Sequence, residues 1–419
     1  MHAVIVGGSV AGLACAVALR RVGVDVSVFE RSLTIRQGGA GIGLNAESIG
    51  ILQSWGLDTN ALTLPMPIEE VRTCGGDPLH RDEAYNFRSA HWYDIYSNLL
   101  DLLPRGTVRL GSAVTGIEWI DEKKNSPGGP VAVTLDKGEI VRCDFVVACD
   151  GVASSMRGII LPDTVQSAPL RYCGYAAWRG VVEEGRVSSI LRDGLKERYP
   201  ELGNCLYFEL SDHLPSGGHN VVYKVPGGKI NWLWYLPRPS PATRGIAQMD
   251  MSSDDLNSLH KKAEEIWGAS NPHFAQLVRS TSSPFLNYIF DRDPLHHYTS
   301  SNGLATLCGD AAHATSPHFL RSTNMSIVDA ATLAECLRES LASHSHRDAV
   351  LVGLREYEKR RLSSTGQEVL FARFLGQLKQ GYLEPKQFST QTPTEDREAL
   401  GQNHFPSKRW QKRVILAAL

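Results

Sequence analysis

The opening of the chain, Met1 to Arg31, constrains its fold more than any other stretch. An apolar run, Ala3-Val4-Ile5-Val6, leads into Gly7-Gly8-Ser9-Val10-Ala11-Gly12. An alanine-rich helical pattern follows, and a second apolar run from Val24 to Phe29 ends in Glu30-Arg31. Strand, glycine turn, helix, strand and acid in that order are what a dinucleotide-binding βαβ unit requires. Gly7 allows the tight turn off the strand, and Gly12 lets the helix pack closely on the strands. The helix N-terminus offers unpaired N–H groups to phosphates. Ser9 stands where the usual second glycine would let backbone approach a pyrophosphate; a small side chain costs least there. Glu30 can accept hydrogen bonds from ribose hydroxyls and would repel a 2′-phosphate. The fingerprint alone leaves NAD and FAD both open.

At 419 residues the chain is too long for one ordinary core, so two or three structural regions are expected. Hydrophobic content of 42%, charged content of 21% and a net charge of −2 fit a soluble globular protein without the basic field that nucleic acid requires. No apolar run approaches the roughly 18–20 residues that cross a membrane. The first strand begins too early for a targeting segment. The eight cysteines are scattered, with no CxxC pair. They read as reduced thiols of a cytoplasmic protein, with no disulfide framework and no metal site.

A second glycine-rich stretch, Gly38 to Leu44, precedes a helical pattern from Ala46 to Trp55. Glycines this dense suit backbone lying flat against a planar ligand, or a flexible loop. Residues 65–90 read as exposed strands and turns, Trp92 to Leu103 as a helix, and Val108 to Val114 as a strand. A β-meander follows, with its tip at Asp121–Pro130. The buried strand Phe145–Cys149 ends in Asp150-Gly151-Val152-Ala153-Ser154-Ser155-Met156-Arg157. Its acid, serine and arginine can hold phosphate and ribose groups; Asp150 could also simply cap the next helix. From Tyr172 to Phe285, aromatic and alternating runs predict a larger mixed or antiparallel sheet with one helix interposed, Leu256 to Trp267. An α/β pattern returns with the strand Leu304–Cys308, then Gly309-Asp310, a helix from Asn324 to Ser340 and another from Arg347 onward. Residues 384–419 read as a polar tail with a basic end.

Three stretches now stand in fixed order: Gly7–Gly12 with Glu30, Asp150–Arg157, and Gly309-Asp310 with Pro317. Together they resemble the class A flavoprotein monooxygenases, the family of p-hydroxybenzoate hydroxylase, over nearly the whole chain. Tyr175 to Gly180 and Asn231 to Tyr235 are most similar to the 2,6-dihydroxypyridine hydroxylase branch. The resemblance implies an α/β fold with a Rossmann-like FAD-binding domain of the glutathione-reductase type (1–75, 100–170 and 284–350). A mixed-sheet substrate domain (76–99 and 171–283) and a helical C-terminal region and tail (351–419) complete it. It implies FAD held by Gly7, Gly8, Ser9, Gly12, Glu30, Arg31, Gly43, Val114, Asp150, Gly151, Arg157, Gly309, Asp310, Pro317 and Arg321, with NADH or NADPH as co-substrate and no metal. In the chemistry so implied, NAD(P)H reduces FAD, reduced flavin takes up O₂, and a C4a-hydroperoxide hydroxylates a small aromatic or heteroaromatic ring. His318, following Pro317, is a candidate base; Tyr223, Tyr235 and Arg179 are the other substrate-side candidates. The helical C-terminal region could carry a homodimer contact.

Two positions depart from the family. Where it has Pro-x-x-Gly-Gln-Gly-x-Asn, this chain has Pro317-His318-Phe319-Leu320-Arg321-Ser322-Thr323-Asn324. Side chains at Leu320, Arg321 and Ser322 are expected to crowd the flavin ring and strain backbone with φ > 0; alternatively, Arg321 sets positive charge at the ring's edge. Trp92 stands where the family often has arginine. These departures keep two rivals in view: a flavin-dependent epoxidase or reductase on the same fold, and a degenerate, FAD-poor protein.

Overall fold

The computed structural model describes residues 1–35, 39–120, 129–163, 168–213, 217–241, 248–249 (backbone only) and 251–382. Gly38, most of the 121–130 tip and the 384–419 tail lie outside the described residues. The mixed α/β architecture is the expected one.

The first layer is a five-stranded parallel sheet in the order Ala305–Leu307, Phe145–Ala148, His2–Val6, Asp25–Phe29, Val108–Arg109. Its strands are near-continuous apolar runs because both faces are covered. The helix Val10–Arg21 packs on one side, against the later helix Arg321–Leu341. Three strand ends on the same edge therefore bring Gly7, Asp150 and Gly309 together, although more than 140 residues separate each from the next.

The second layer is an eight-stranded mixed sheet in the order Gln248–Met249, Phe285–Asp291, Arg171–Glu183, Lys229–Pro237, His219–Val225, Cys205–Leu210, Ile68–Arg72, Pro78–Asp82. Side chains alternate between its faces. Trp178, Trp232, Trp234, Tyr207 and Val222 point one way into a core closed by helices. Tyr175, Ala177, Leu206, Phe208, Val221, Tyr223, Leu233 and Tyr235 point the other way, toward the parallel sheet's side of the molecule. A single-residue slip in register would exchange these faces.

Several local expectations change. The Val108–Val114 strand is broken: it spans only Val108–Arg109, and the next begins at Val114. Between them Gly111 takes φ +61, and the N–H groups of Gly111 and Ser112 bond back to Ser32 and Glu30 carbonyls. Residues 65–90 are less exposed than expected. Ile68–Arg72 pairs with Cys205–Leu210 and buries Val71, and Phe87–His91 is the middle strand of a small sheet with Gly41–Leu44 and Thr63–Met66. Among the described residues three helices, not one, are interposed in the second region: Ser189–Arg198, Ser253–Trp267 and Pro272–Arg279. The two unforeseen helices carry readable starts. Ser188 accepts from Leu191 N, and Asn271 from Phe274 N with proline at the first turn. The long helix His346–Lys379 closes the described chain.

Candidate active site

At the strand edge of the parallel sheet, Gly7 turns with φ +100, and a Cβ there would lie 2.4 Å from the Cys149 carbonyl oxygen. At Gly12 a Cβ would come within 1.9 Å of the Gly7 oxygen. Ser9 begins the helix without a side-chain capping bond, so its first-turn N–H groups face outward unsatisfied by a cap. Glu30 accepts from Gly8 N at 2.8 Å and Ser32 N at 2.9 Å. Val114 opens its strand two residues after Ser112, which bonds the Glu30 carbonyl; Arg31 is exposed. This end offers small residues, free N–H groups and one acid, a donor set that fits the ADP half of a dinucleotide.

Asp150 takes the capping role weighed from sequence. It accepts from Ser154 Oγ at 2.5 Å, Ser155 N at 2.8 Å and Met156 N at 3.0 Å. Gly151 makes the turn at φ +80. Arg157 is buried and donates to the Ala311 and Ala312 carbonyls, but its Nε and Nη2 have no hydrogen-bond partner. Burial lowers its guanidinium to about 10, and nearby Arg292 adds to the effect. Both arginines line a cavity of about 690 Å³ with Ser154 and Ser155.

Gly309 turns at φ +62 with its N–H bonded to Asp329 Oδ2 at 2.9 Å. Asp329 also meets His313 Nε2 at 2.6 Å and Arg361 Nε at 2.7 Å. Burial alone would raise this carboxyl, but His313 and Arg361 pull it well below the usual range. Asp310 accepts from Ser322 Oγ at 2.7 Å, while burial raises its carboxyl. Beneath these turns Cys15, Cys149 and Cys308, far apart in sequence, converge. Cys15 and Cys308 sulfurs are 3.3 Å apart, and Cys149 is 3.8 Å from Cys15. Hydrogen bonds from Cys149 and Cys308 lower the Cys15 thiol and raise those two in turn. Among the described residues this is the one cluster close enough to share an ion.

A cavity of about 360 Å³ lies where this edge meets the large sheet. Gly43, Asp310, Pro317, His318 and Arg321 line it from one side, and Arg179, Tyr223 and Tyr235 from the other. The substrate-side candidates thus meet in one place. His318 is buried, and its Nε2 is 2.9 Å from the Tyr175 hydroxyl. Burial, with the charges of Lys379 and Arg179, keeps its imidazole well below the ordinary value and therefore neutral. Burial pushes the Tyr223 and Tyr235 hydroxyls up.

The departure at 320–322 resolves differently from its sequence reading. Positive φ falls on Phe319 (63°) and Leu320 (57°), whereas Arg321 is already right-handed and begins the helix Arg321–Leu341. The Leu320 side chain crosses to Gly43: a Cβ on that glycine would lie 2.1 Å from Leu320 Cδ1. Arg321 does not offer an unpaired charge. Its guanidinium is 2.7 Å from Glu368 and lies over the Phe319 ring. Asn324 fixes the turn by donating to the Gly43 and Leu320 carbonyls. Trp92 lines the cavity and stacks on Tyr96.

Sequence reasoning missed Asn231, whose Oδ1 accepts from Gly41 N at 2.6 Å, and also His219 and Lys379. Strand alternation marked Asn231 and His219 as facing the same way as Tyr235 and Tyr223. Nothing local marked Lys379, because the helix end that bears it reaches the cavity only through tertiary packing.

Residues 1–161 match the FAD binding domain family. The chain is 29% identical over 378 residues to 3-amino-4-hydroxybenzoate 2-monooxygenase of Streptomyces cremeus, covering 87% of this chain and 84% of that protein. It is 28% identical over 373 residues to 2,6-dihydroxypyridine 3-monooxygenase of Paenarthrobacter nicotinovorans, covering 82% and 86%. The solved 2,6-dihydroxypyridine-3-hydroxylase of Arthrobacter nicotinovorans superimposes with a TM-score of 0.74 at 24% identity, covering 91% of this chain and 93% of that one. Glycine fingerprint, Asp-Gly turn and Gly-Asp turn converge on one edge in a chain with these relatives. Over most of its length the chain is similar to FAD-dependent monooxygenases that act on aromatic compounds.

Proposed function

We propose that this enzyme hydroxylates a small phenol- or hydroxypyridine-like ring using FAD, NAD(P)H and O₂. The observation that carries this reading is the shared cavity: Gly43, Asp310 and Pro317 face Arg179, Tyr223, Tyr235 and His318 across one space.

FAD fits the residues present. Gly7, Gly8, Ser9 and Gly12 would hold its pyrophosphate and Glu30 its adenosine ribose, with Arg31 and Val114 beside them; Asp310 at the Gly309 turn would bind a ribityl hydroxyl, and the turn of Asp150, Gly151 and Arg157 would serve both FAD and the nicotinamide co-substrate. Gly43, Pro317 and Arg321 would border its ring. Bound there, FAD supplies the redox and oxygen chemistry. The chain's own residues supply the rest. Tyr223 and Tyr235, neutral because buried, donate hydrogen bonds to ring substituents. His318, neutral at rest, would take the phenolic proton only transiently and pass it on, with the Tyr175 hydroxyl at Nε2 as its relay. Leu206, Phe208, Val221 and Leu233 exclude water from the reacting ring. Arg157 and Arg292, with unpartnered nitrogens at the second cavity, would meet the phosphates of the nicotinamide co-substrate.

We propose the cytoplasm as its compartment, where eight free cysteines stay reduced, and a homodimer as its assembly. Among the described residues no helix is long and apolar enough to cross a membrane.

The test is a visible spectrum of the purified protein, then NAD(P)H oxidation against a panel of phenols and hydroxypyridines. The expected result is a flavin spectrum and aromatic-stimulated oxidation yielding hydroxylated product. A colourless protein that gains nothing from added FAD overturns the reading; flavin-dependent oxidation that no aromatic stimulates favours the reductase rival.

A further inference from the structure

Three thiols are packed together beneath the nucleotide edge, and neither cofactor nor substrate needs them. Cys15 lies in the helix Val10–Arg21, while Cys149 and Cys308 each follow directly on a strand of the parallel sheet. Their exposures are 0%, 4% and 0%. Cys15 Sγ is 3.3 Å from Cys308 Sγ and 3.8 Å from Cys149 Sγ, and all three sulfurs lie within 4.8 Å of one another. Their backbones are fixed: Cys149 N–H donates to the Val6 carbonyl and Cys308 N–H to the Ala148 carbonyl. Among the described residues none of the other five cysteines joins such a group. The strand ends and one helix therefore preorganise a triangle of sulfurs.

Bonds of about 2.3 Å from each sulfur to one centre would set the sulfurs roughly 3.3–4 Å apart, for bond angles from pyramidal to trigonal. Soft thiolates select soft centres. Zinc fits poorly, because its structural sites take four ligands and its catalytic sites three and a water, and these sulfurs are buried. Asp329 Oδ2 is 3.8 Å from Cys308 Sγ, but it already meets the Gly309 N–H and His313, and the other oxygen meets Arg361. Charge narrows the choice further. Three thiolates around a monovalent cation keep two negative charges, and around a divalent cation one, beside that buried carboxylate. Burying such unpaired charge is costly. A trivalent centre leaves none.

We propose that Cys15, Cys149 and Cys308 form a three-coordinate site for a trivalent metalloid of the arsenite type. Arsenous acid is small and uncharged, so it can enter when the edge opens locally. Three As–O bonds break and three As–S bonds form. Each thiol proton leaves with a hydroxide as water, arsenic stays trivalent, and nothing is oxidised or reduced. The product is a neutral trithiolate that suits full burial. This site stands on the sulfur geometry alone and is independent of the hydroxylase reading.

The experiment incubates the purified full chain, kept reduced by a phosphine, with sodium arsenite. The expected result is one arsenic per chain by mass spectrometry, with three sulfur neighbours and no oxygen by X-ray absorption. Cys15→Ala, Cys149→Ala and Cys308→Ala are each expected to weaken binding about a hundredfold or more, as one of three tethered thiols is lost. Cys336→Ala is expected to bind as the unmodified chain does. Melting temperatures show whether each variant is folded, and the absorption spectrum of the unmodified protein decides the ligand set without any variant. Two sulfurs and an oxygen around arsenic overturn the proposal. So does equal binding by Cys15→Ala, or no uptake even in urea just below the unfolding transition, where local opening is frequent. Uptake of Cu(I) or Zn(II) by these sulfurs, with arsenite refused, overturns it too.

Discussion

The two ends of the cleft are built on different principles. At the nucleotide end, close backbone contacts dominate: Gly12 is held against the Gly7 carbonyl and Gly7 against Cys149, while the buried Asp329 carboxylate pins the Gly309 N–H. At the cavity end, side chain meets side chain. Gly41 faces Asn231 and Tyr223, and Gly43 faces Leu320. Backbone contacts cannot yield without moving a strand, whereas side chains can change rotamer. The first end should therefore be intolerant and its sequence narrow, the second adaptable and its sequence free to encode specificity.

The sharpest way to break this comparison is at Asp329. Its two oxygens serve Gly309, His313 and Arg361 in full burial. Asp329→Asn leaves Arg361 without its buried partner and is expected to cost about 3–5 kcal/mol, read as a lower melting temperature together with lost FAD. The pH dependence has a definite sign. The folded carboxyl is depressed, so its stabilisation is complete above the unfolded value of about 3.9 and is lost as pH falls below it. The variant should lack that acid-induced loss. Next comes Gly12→Ala. Its Cβ would meet the Gly7 oxygen, and strain of about 2–3 kcal/mol is expected. An unchanged melting temperature and flavin content in Gly12→Ala would refute the account of a rigid nucleotide end.

The same contrast governs what the sequence made legible. Backbone-built features announce themselves locally. Gly7, Gly12 and Glu30 stand in one short stretch, and the buried strand before Asp150 is an unbroken apolar run, that before Gly309 interrupted only by Thr306. The parallel sheet and the three turns were readable for that reason. The cavity was readable only as a list of separated candidates. Arg179, Tyr223, Tyr235 and His318 come from four elements, and only the pairing of Arg179 with Leu233 and of Tyr235 with His219 puts them on one face. Lys379 carried no local signal for the site, and Asn231 only its place in the strand alternation. At Leu320 the replaced glycines were visible, but which residues would take positive φ was not; that depended on Asn324 anchoring the turn.

Leu320 tests the adaptable end. A left-handed leucine costs roughly 1–2 kcal/mol, and its side chain covers Gly43 where a flavin ring would lie. Leu320→Gly removes both obstacles and loses some apolar packing. Thermal stability is expected to change little, while FAD affinity rises, on the order of tenfold if displacing the side chain costs about 1.4 kcal/mol. Quenching of FAD fluorescence on titration measures it. Weaker binding in the variant would mean that Leu320 supports the ring rather than obstructing it.

The smallest effect separates the ends by pH. His219 and His318 are held neutral in the cavity, mainly by burial, while an unfolded histidine titrates near 6.5. As pH falls through that value the unfolded chain binds protons that the folded chain refuses, so stability drops. Each histidine should contribute about 0.7 kcal/mol between pH 7 and pH 6. His219→Gln should remove its share of that slope and leave the loss below pH 4, which belongs to Asp329, untouched. Urea unfolding at a series of pH values measures both. A slope between pH 7 and pH 6 that survives replacement of both histidines would place the titrating groups outside the cavity. The neutral imidazole assigned to proton transfer at His318 would then lose its support.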